Sequence, residues 1–285
     1  MHIRESAGFY DLCVNVSGND TQNLHSILLK LHEYGFKTIA INTNVDESVF
    51  GTDKKKKKKS DESEISQGII LETVNIENLR REFDGKLKIF NRITFFCSDP
   101  TKAHALNHCS SLKKYDLYSF APKTQNALQF ACTQLNADII TLRPHTVTFK
   151  FNKKLYEQAI ERGIHFEIQY VDLLNVESRK QTIHYSHLFH TYGKSKVQKL
   201  SNMYVILSSG TSDVKTIRNP YDLINLACLL GLNEVKAKAS ILYQCRRLLL
   251  RAERRRRGKA AFIIEDQIKR TNITQDSNFS KKLKL

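Results

Sequence analysis

Seven short apolar runs recur along this chain, separated by segments with helical periodicity. The runs are Phe9–Val14, Lys37–Ile41, Leu87–Cys97, Tyr115–Phe120, Asp138–Leu142, Ile164–Tyr170 and Met203–Leu207. They are rich in Val, Ile and Phe with little polar alternation, the pattern of strands buried on both faces. Helical patterns lie over 21–34, 101–111, 124–134, 152–162, 177–199 and 219–230. Strand–helix repeats of about 25–30 residues predict βα units and a parallel sheet. Seven strands favour a closed α/β barrel of the TIM type over an open sheet. The eighth βα unit is incomplete or irregular; Ala260–Glu265 is the stretch that could supply it.

Residues 1–265 therefore read as one domain and 266–285 as a flexible basic tail. Residues 46–68 interrupt the rhythm with a polar, low-complexity, Lys-rich insertion. Lys54–Lys59 are matched by Asp46, Glu47, Asp53, Asp61, Glu62 and Glu64, so the insertion reads as a solvated loop or a nuclear-import signal ahead of an RNA contact. No apolar run approaches the roughly 20 residues of a membrane-spanning helix, so no membrane partner is expected. The start of the chain has no signal-peptide pattern. The six cysteines are scattered, form no C-x-x-C pair, and lie mostly in apolar segments, as reduced thiols do inside a cell.

The positive charge is unevenly placed. Of a net +16, the segment from Lys236 to Leu285 carries +11: fifteen Lys/Arg against four Asp/Glu. Much of it falls on one predicted helix, Asn233–Arg257. At 100° per residue, Val235, Ala239, Ile241, Leu242, Cys245, Leu248, Leu249 and Ala252 form an apolar arc. Lys236, Arg247, Arg251, Arg254 and Arg255 gather on the opposite side and predict a phosphate-contacting face. A merely solvated face usually mixes signs; here only Glu253 dilutes it. Arg246 projects into the apolar arc, which predicts a buried guanidinium paired with a carboxylate, a carbonyl or a penetrating phosphate.

Catalytic constellations are weaker. His184, His187 and His190 cannot all converge from one helix, and His104 with His108 lacks the Glu of a zinc-protease helix. The expectation is no metal, no cofactor and no catalytic residue. Strand ends offer Asp11, Asn15, Asn42, Asp99, Arg143, Glu167, Tyr170 and Ser208-Ser209-Gly210, with no nucleophile–base pair. Asp99 before Pro100 reads as a helix cap. Ser208 and Ser209 follow the seventh strand, where barrels often bind phosphate, although a plain turn fits equally. With Arg218 they form a secondary candidate for nucleic-acid contact.

Several stretches in order carry a resemblance. They are Tyr10-Asp-Leu-Cys-Val14, Phe36-Lys-Thr-Ile-Ala-Ile-Asn42, Leu87-Lys-Ile-Phe-Asn-Arg-Ile-Thr94, Ser98-Asp-Pro100, Phe130–Asp138, Arg162–Tyr170, Val205-Ile-Leu-Ser-Ser209, Ile217–Leu226, Leu230-Gly-Leu232 and Gln244-Cys-Arg-Arg247. Together, over about residues 9–265, they resemble the thirty-kilodalton protein subunit shared by ribonuclease P and ribonuclease MRP. The resemblance implies a TIM-barrel-like fold related to the PHP phosphoesterases. It also implies a nuclear, nucleolar ribonucleoprotein in which RNA cuts 5′ leaders from tRNA precursors, with an rRNA-processing role in the MRP form. The implied partners are the RNase P/MRP RNA, precursor tRNA and other protein subunits. This subunit is then non-catalytic and RNA-binding: the phosphoesterase relatives carry His-x-His after the first strand, and this chain has Asp11-Leu-Cys13. The alternatives are a PHP-like metal-dependent phosphoesterase and a generic basic adaptor.

Overall fold

The computed structural model describes residues 8–16, 21–50, 75–143, 149–193 and 203–258. Seven strands form one all-parallel sheet in chain order: β1 (Phe9–Asn15), β2 (Phe36–Asp46), β3 (Lys88–Cys97), β4 (Leu117–Pro122), β5 (Ile139–Thr141), β6 (His165–Gln169) and β7 (Val205–Ser208). Each predicted run is a strand. β2 extends five residues further than Ile41 because its register with β3 continues to Asp46↔Phe96. The helices are α1 (Thr21–Glu33), α2 (Glu77–Glu82), α3 (Pro100–His108), α4 (Gln125–Thr133), α5 (Lys153–Glu161), α6 (Val171–Leu174), α7 (Val176–Tyr192), α8 (Pro220–Leu229), α9 (Glu234–Ser240) and α10 (Tyr243–Arg257). Several starts follow from their caps: Asp99, Thr124, Asn152, Asn219 and Asn233 each accept from a first-turn N–H.

The sheet curls until its first and last strands meet. Asn15 N–H donates to the Thr211 carbonyl at 2.7 Å, and Gly210 N–H donates to the Cys13 carbonyl at 2.8 Å. Seven strands thus close the C-terminal end of the barrel. At the N-terminal end, Tyr10 N–H donates instead to the Ile241 carbonyl at 3.1 Å. The junction between α9 and α10 therefore caps the free edge of β1. The stretch Ala260–Glu265 lies outside the described residues, as do Lys54–Lys59, most of the insertion and the basic tail.

That junction corrects the single helix expected over Asn233–Arg257. Ile241 and Leu242 are non-helical, Leu242 at φ −129° and ψ −86°. The Ile241 carbonyl is committed to β1 rather than to a helical partner. Lys236 therefore sits on α9, apart from the arginines of α10. Val235, placed in the apolar arc by the one-helix projection, is exposed for the same reason. The insertion also starts later than expected: Asp46 ends β2, and Glu47–Phe50 form a 3-10 turn whose Glu47 carboxylate accepts from Ser98 N–H and Oγ–H, both at 2.8 Å. The long helical pattern 177–199 is observed as α7 to Tyr192, with α6 before it; 194–199 lie outside the described residues.

The barrel interior has two layers. The lower is apolar: Tyr10, Leu12, Ala40, Phe90, Leu117, Ile139 and Ile206 pack against Cys245, Leu248, Leu249 and Ala252 of α10. The upper is polar: Asn42, Arg92, Thr94, Ser119, Thr141, Glu167, Gln169 and Ser208 are all buried. A second, larger apolar shell lies between the outer strand faces and α1, α3, α4, α5, α7 and α8.

Candidate functional site

The arginines of α10 contact residues that precede β4, β5, β6 and β7, so the helix lies across the N-terminal mouth of the barrel. Arg247 stacks over Tyr204, its guanidinium carbon 4.2 Å from the ring centroid, and reaches the tyrosine hydroxyl. Arg251 Nη1 donates to the Ala137 carbonyl at 2.8 Å and to Asp138 Oδ1 at 3.1 Å, and its Nη2 donates to the Arg162 carbonyl at 3.1 Å. Arg255 Nε donates to both Asp138 oxygens at 3.0 Å. Arg256 pairs with Asp116 at 2.7 Å.

Asp138 is fully buried, and its Oδ2 also accepts from Tyr118 N–H at 2.9 Å. A carboxylate so placed requires cationic partners, and Arg251 and Arg255 provide them. The predicted phosphate-contacting face thus divides. Arg251 and Arg255 are structural pins with most of their donors committed inward. Arg254 is exposed, and Arg246 and Arg247 are half-buried. The buried guanidinium expected at Arg246 is not found there, because α10 begins at Tyr243 and the mouth-facing residues are Gln244, Cys245, Leu248 and Leu249.

A buried guanidinium does exist, at Arg92 on β3. Its Nη1 donates to Glu167 Oε1 at 2.5 Å and to the Leu12 carbonyl at 2.7 Å. Its Nη2 donates to Glu167 Oε2 at 2.6 Å. Glu167 also accepts from Thr141 Oγ1 at 2.6 Å, Ser208 Oγ at 2.7 Å and Gln169 Nε2 at 2.9 Å. Burial acts to raise the Glu167 pKa, but the Arg92 charge and these donors prevail and hold it at about 2. Next to them, Asp11 Oδ1 accepts from Ser209 N–H at 3.0 Å and Cys13 N–H at 3.2 Å, while Oδ2 has no hydrogen-bond partner. Burial pushes Asp11 up to about 6. Cys13 is pushed by burial to about 12, so it is no thiolate nucleophile.

The strand-end residues Asp11, Asn15, Asn42, Glu167 and Ser208 do converge, as the sequence order of the strands requires. Glu167, with Ser208 on it, is organised by a side chain absent from the predicted set, Arg92, while Asn15 bonds Asn42 and the Gly210 carbonyl, and Asp11 accepts from the Ser209 and Cys13 N–H groups. The donor set does not fit a metal ion: a fixed cation fills its centre, and Glu167 has both oxygens committed. Among the described residues no group of three His, Cys, Asp or Glu side chains could hold a metal. His184 and His187 are exposed on α7 and His190 is half-buried. Ser208 and Ser209 are buried, with Ser208 Oγ on Glu167 and Ser209 Oγ on the Cys13 carbonyl at 2.9 Å. They line the interior rather than a phosphate-binding surface. Arg218 is exposed; its Nη1 donates to the Lys215 carbonyl at 3.0 Å and its own N–H to Tyr170 Oη at 3.3 Å.

Comparison with known proteins places this geometry. The family model "RNase P subunit p30" matches residues 8–257, from β1 to the end of α10. Ribonuclease P protein subunit p30 of Mus musculus is 31% identical over 270 residues, covering 93% of this chain and 92% of the relative. Ribonuclease P protein subunit drpp30 of Dictyostelium discoideum is 26% identical over 265 residues, covering 91% and 68%. A chain in a cryo-EM structure of archaeal ribonuclease P with mature tRNA superposes with a TM-score of 0.61 at 14% identity, covering 90% of this chain and 99% of that one; this likeness is one of fold. With the seven-stranded barrel and its α10 cover both inside the matched span, the chain belongs to the RNase P subunit p30 family.

Proposed function

We propose that this chain is a non-catalytic, RNA-binding subunit of the nuclear ribonuclease P ribonucleoprotein. It supports removal of 5′ leaders from tRNA precursors and, in the MRP form, processing of rRNA, with the nucleolus as its place of work. Its partners are the RNase P/MRP RNA, precursor tRNA within the holoenzyme, and other protein subunits. The observation that carries this reading is the family match across the whole barrel and α10. The interior supports the non-catalytic part. At the strand ends where such barrels place chemistry, the space is taken by the Arg92–Glu167 pair. That same observation disfavours a metal-dependent phosphoesterase.

RNA contact then falls to outward-facing cations. Arg246, Arg247 and Arg254 on α10 are candidates, with Lys236 on α9 and Arg218 before α8. Arg251 and Arg255 add to the positive field while fixed on Asp138. A backbone-contacting surface of this kind reads charge rather than base sequence. Recovering the tagged chain from cells and sequencing the RNA that accompanies it tests the reading. Enrichment of RNase P and MRP RNAs is expected; recovery without any enriched RNA contradicts it.

A further inference from the structure

The N-terminal end of the barrel holds a second cationic cluster, beside the arginines discussed above. It is organised by two buried acids, Asp116 before β4 and Glu253 on α10. Asp116 pairs with Arg80 at 3.0 Å and with Arg256 at 2.7 Å. Glu253 pairs with Arg256 at 3.2 Å and with Arg257 at 2.5 Å. Arg256 Nε also donates to the Lys113 carbonyl at 3.1 Å. This stitches the turn Ser110–Lys114 to α10 and stations the exposed Lys113 and Lys114 beside the helix end.

The two acids share Arg256, and Glu77 also pairs with Arg80 at 2.9 Å, so three carboxylates hold Arg80, Arg256 and Arg257. These pairs fix the guanidinium groups in place, and the exposed Lys113 and Lys114 beside them supply the positive charge that the pairs leave over. The arginine side chains remain partly open to solvent, 34% for Arg80, 26% for Arg256 and 50% for Arg257. Cations already held in position lose little side-chain freedom on binding, which favours a rigid polyanion over a small mobile ion. Guanidinium groups also suit phosphate oxygens by their planar donor fork.

We propose that the RNA-binding surface is a belt across the N-terminal end of the barrel, running from α10 onto the turn before β4, in which Lys113, Lys114, Arg256 and Arg257 contact the sugar-phosphate backbone. The belt rests on the RNA-binding reading above and extends it from one helix face to a composite surface. It lies at the end of the barrel opposite the polar interior layer.

The test uses the full chain and a labelled RNase P RNA transcript. Lys113→Glu/Lys114→Glu alters two exposed side chains. Lys150→Glu/Lys154→Glu makes the same charge change at the opposite end, also on exposed side chains. The belt predicts that the first pair weakens binding at least tenfold at 100 mM salt and lowers the salt slope by about two units, while the second stays within about twofold of wild type. Melting temperature monitors folding in both. Equal affinity for the two variants, with binding lost in Arg254→Glu, would overturn the belt and leave the rest of α10 as the RNA face. Release of companion proteins from the tagged complex with unchanged affinity for isolated RNA would make the cluster a protein contact, and the proposal fails. A wild-type chain with no salt-dependent affinity for the transcript sinks the underlying RNA-binding reading, and the belt with it.

Discussion

Arg92 and Glu167 are the residues on which the barrel interior turns, and their pairing has a measurable consequence. Both are fully buried, so truncating one leaves the other as an uncompensated charge. Arg92→Met should therefore lower stability by about 3–5 kcal/mol, read from the denaturant midpoint, and Glu167→Gln should act in the same direction. Glu167 is held at about 2, below its ordinary 4.5, so its contribution is present above pH 4.5 and is lost as pH falls toward 2. Asp11 has the opposite sign. It is raised from 3.8 to about 6, so its burial is tolerated best below pH 3.8 and becomes a net cost as pH rises through 6. Asp11→Asn should gain stability relative to wild type between pH 4 and pH 8, by an amount approaching about 3 kcal/mol at the converted shift. An Asn variant whose relative stability is flat across that range would contradict the assignment. His165, held neutral by burial at about 3, contributes above its ordinary 6.5 and loses that contribution on acidification. Glu167 was visible in the sequence as an acid at a strand end. Arg92 was not, because its partner lies 75 residues away and a lone arginine inside Lys88-Ile-Phe-Asn-Arg-Ile-Thr94 carries no local sign of its fate.

The element that departs most from its sequence pattern is α10. Its apolar arc was legible: Cys245, Leu248, Leu249 and Ala252 are buried, as a 3.6-residue period requires. Its start was not legible, since the break at Ile241–Leu242 exists to cap β1, a contact some 230 residues away in sequence. The basic arc was legible as charge but not as chemistry. Periodicity cannot tell an arginine that faces solvent from one that reaches over the rim to Asp138. The two kinds separate by substitution. Arg251→Ala/Arg255→Ala should destabilise the fold by about 3–5 kcal/mol, because Asp138 is left buried with only the Tyr118 N–H and its charge unmatched. Lys236→Glu/Arg254→Glu should leave the melting temperature near wild type and weaken RNA binding, since Arg254 is exposed and Lys236 lies half-buried on α9. If the first pair is thermally silent, the arginines are not pins. Reversing Arg247, Arg251, Arg254 and Arg255 together would mix unfolding with loss of contact, so the separated pairs are the informative experiment.

At the scale of the whole molecule, the fold was read from strand character and the site was not. Seven largely buried parallel strands leave a clear mark on composition, and the want of an eighth among the described residues agrees with their count. How the ring closes without it did not, because closure depends on single hydrogen bonds at Asn15, Gly210 and Tyr10. The result is a barrel with its chemistry end filled by an internal ion pair and its opposite end covered by a pinned, cationic helix. On the function proposed above, such an object supports an RNA catalyst rather than acting as one. Leader cleavage by the tagged complex recovered from cells, assayed on precursor tRNA before and after nuclease digestion of its RNA and compared with the purified chain in Mg²⁺, Mn²⁺ or Zn²⁺, tests this most directly. The account predicts cleavage by the complex, abolition by the nuclease, and none from the chain alone. Nuclease-resistant, metal-dependent cleavage by the purified chain would contradict it.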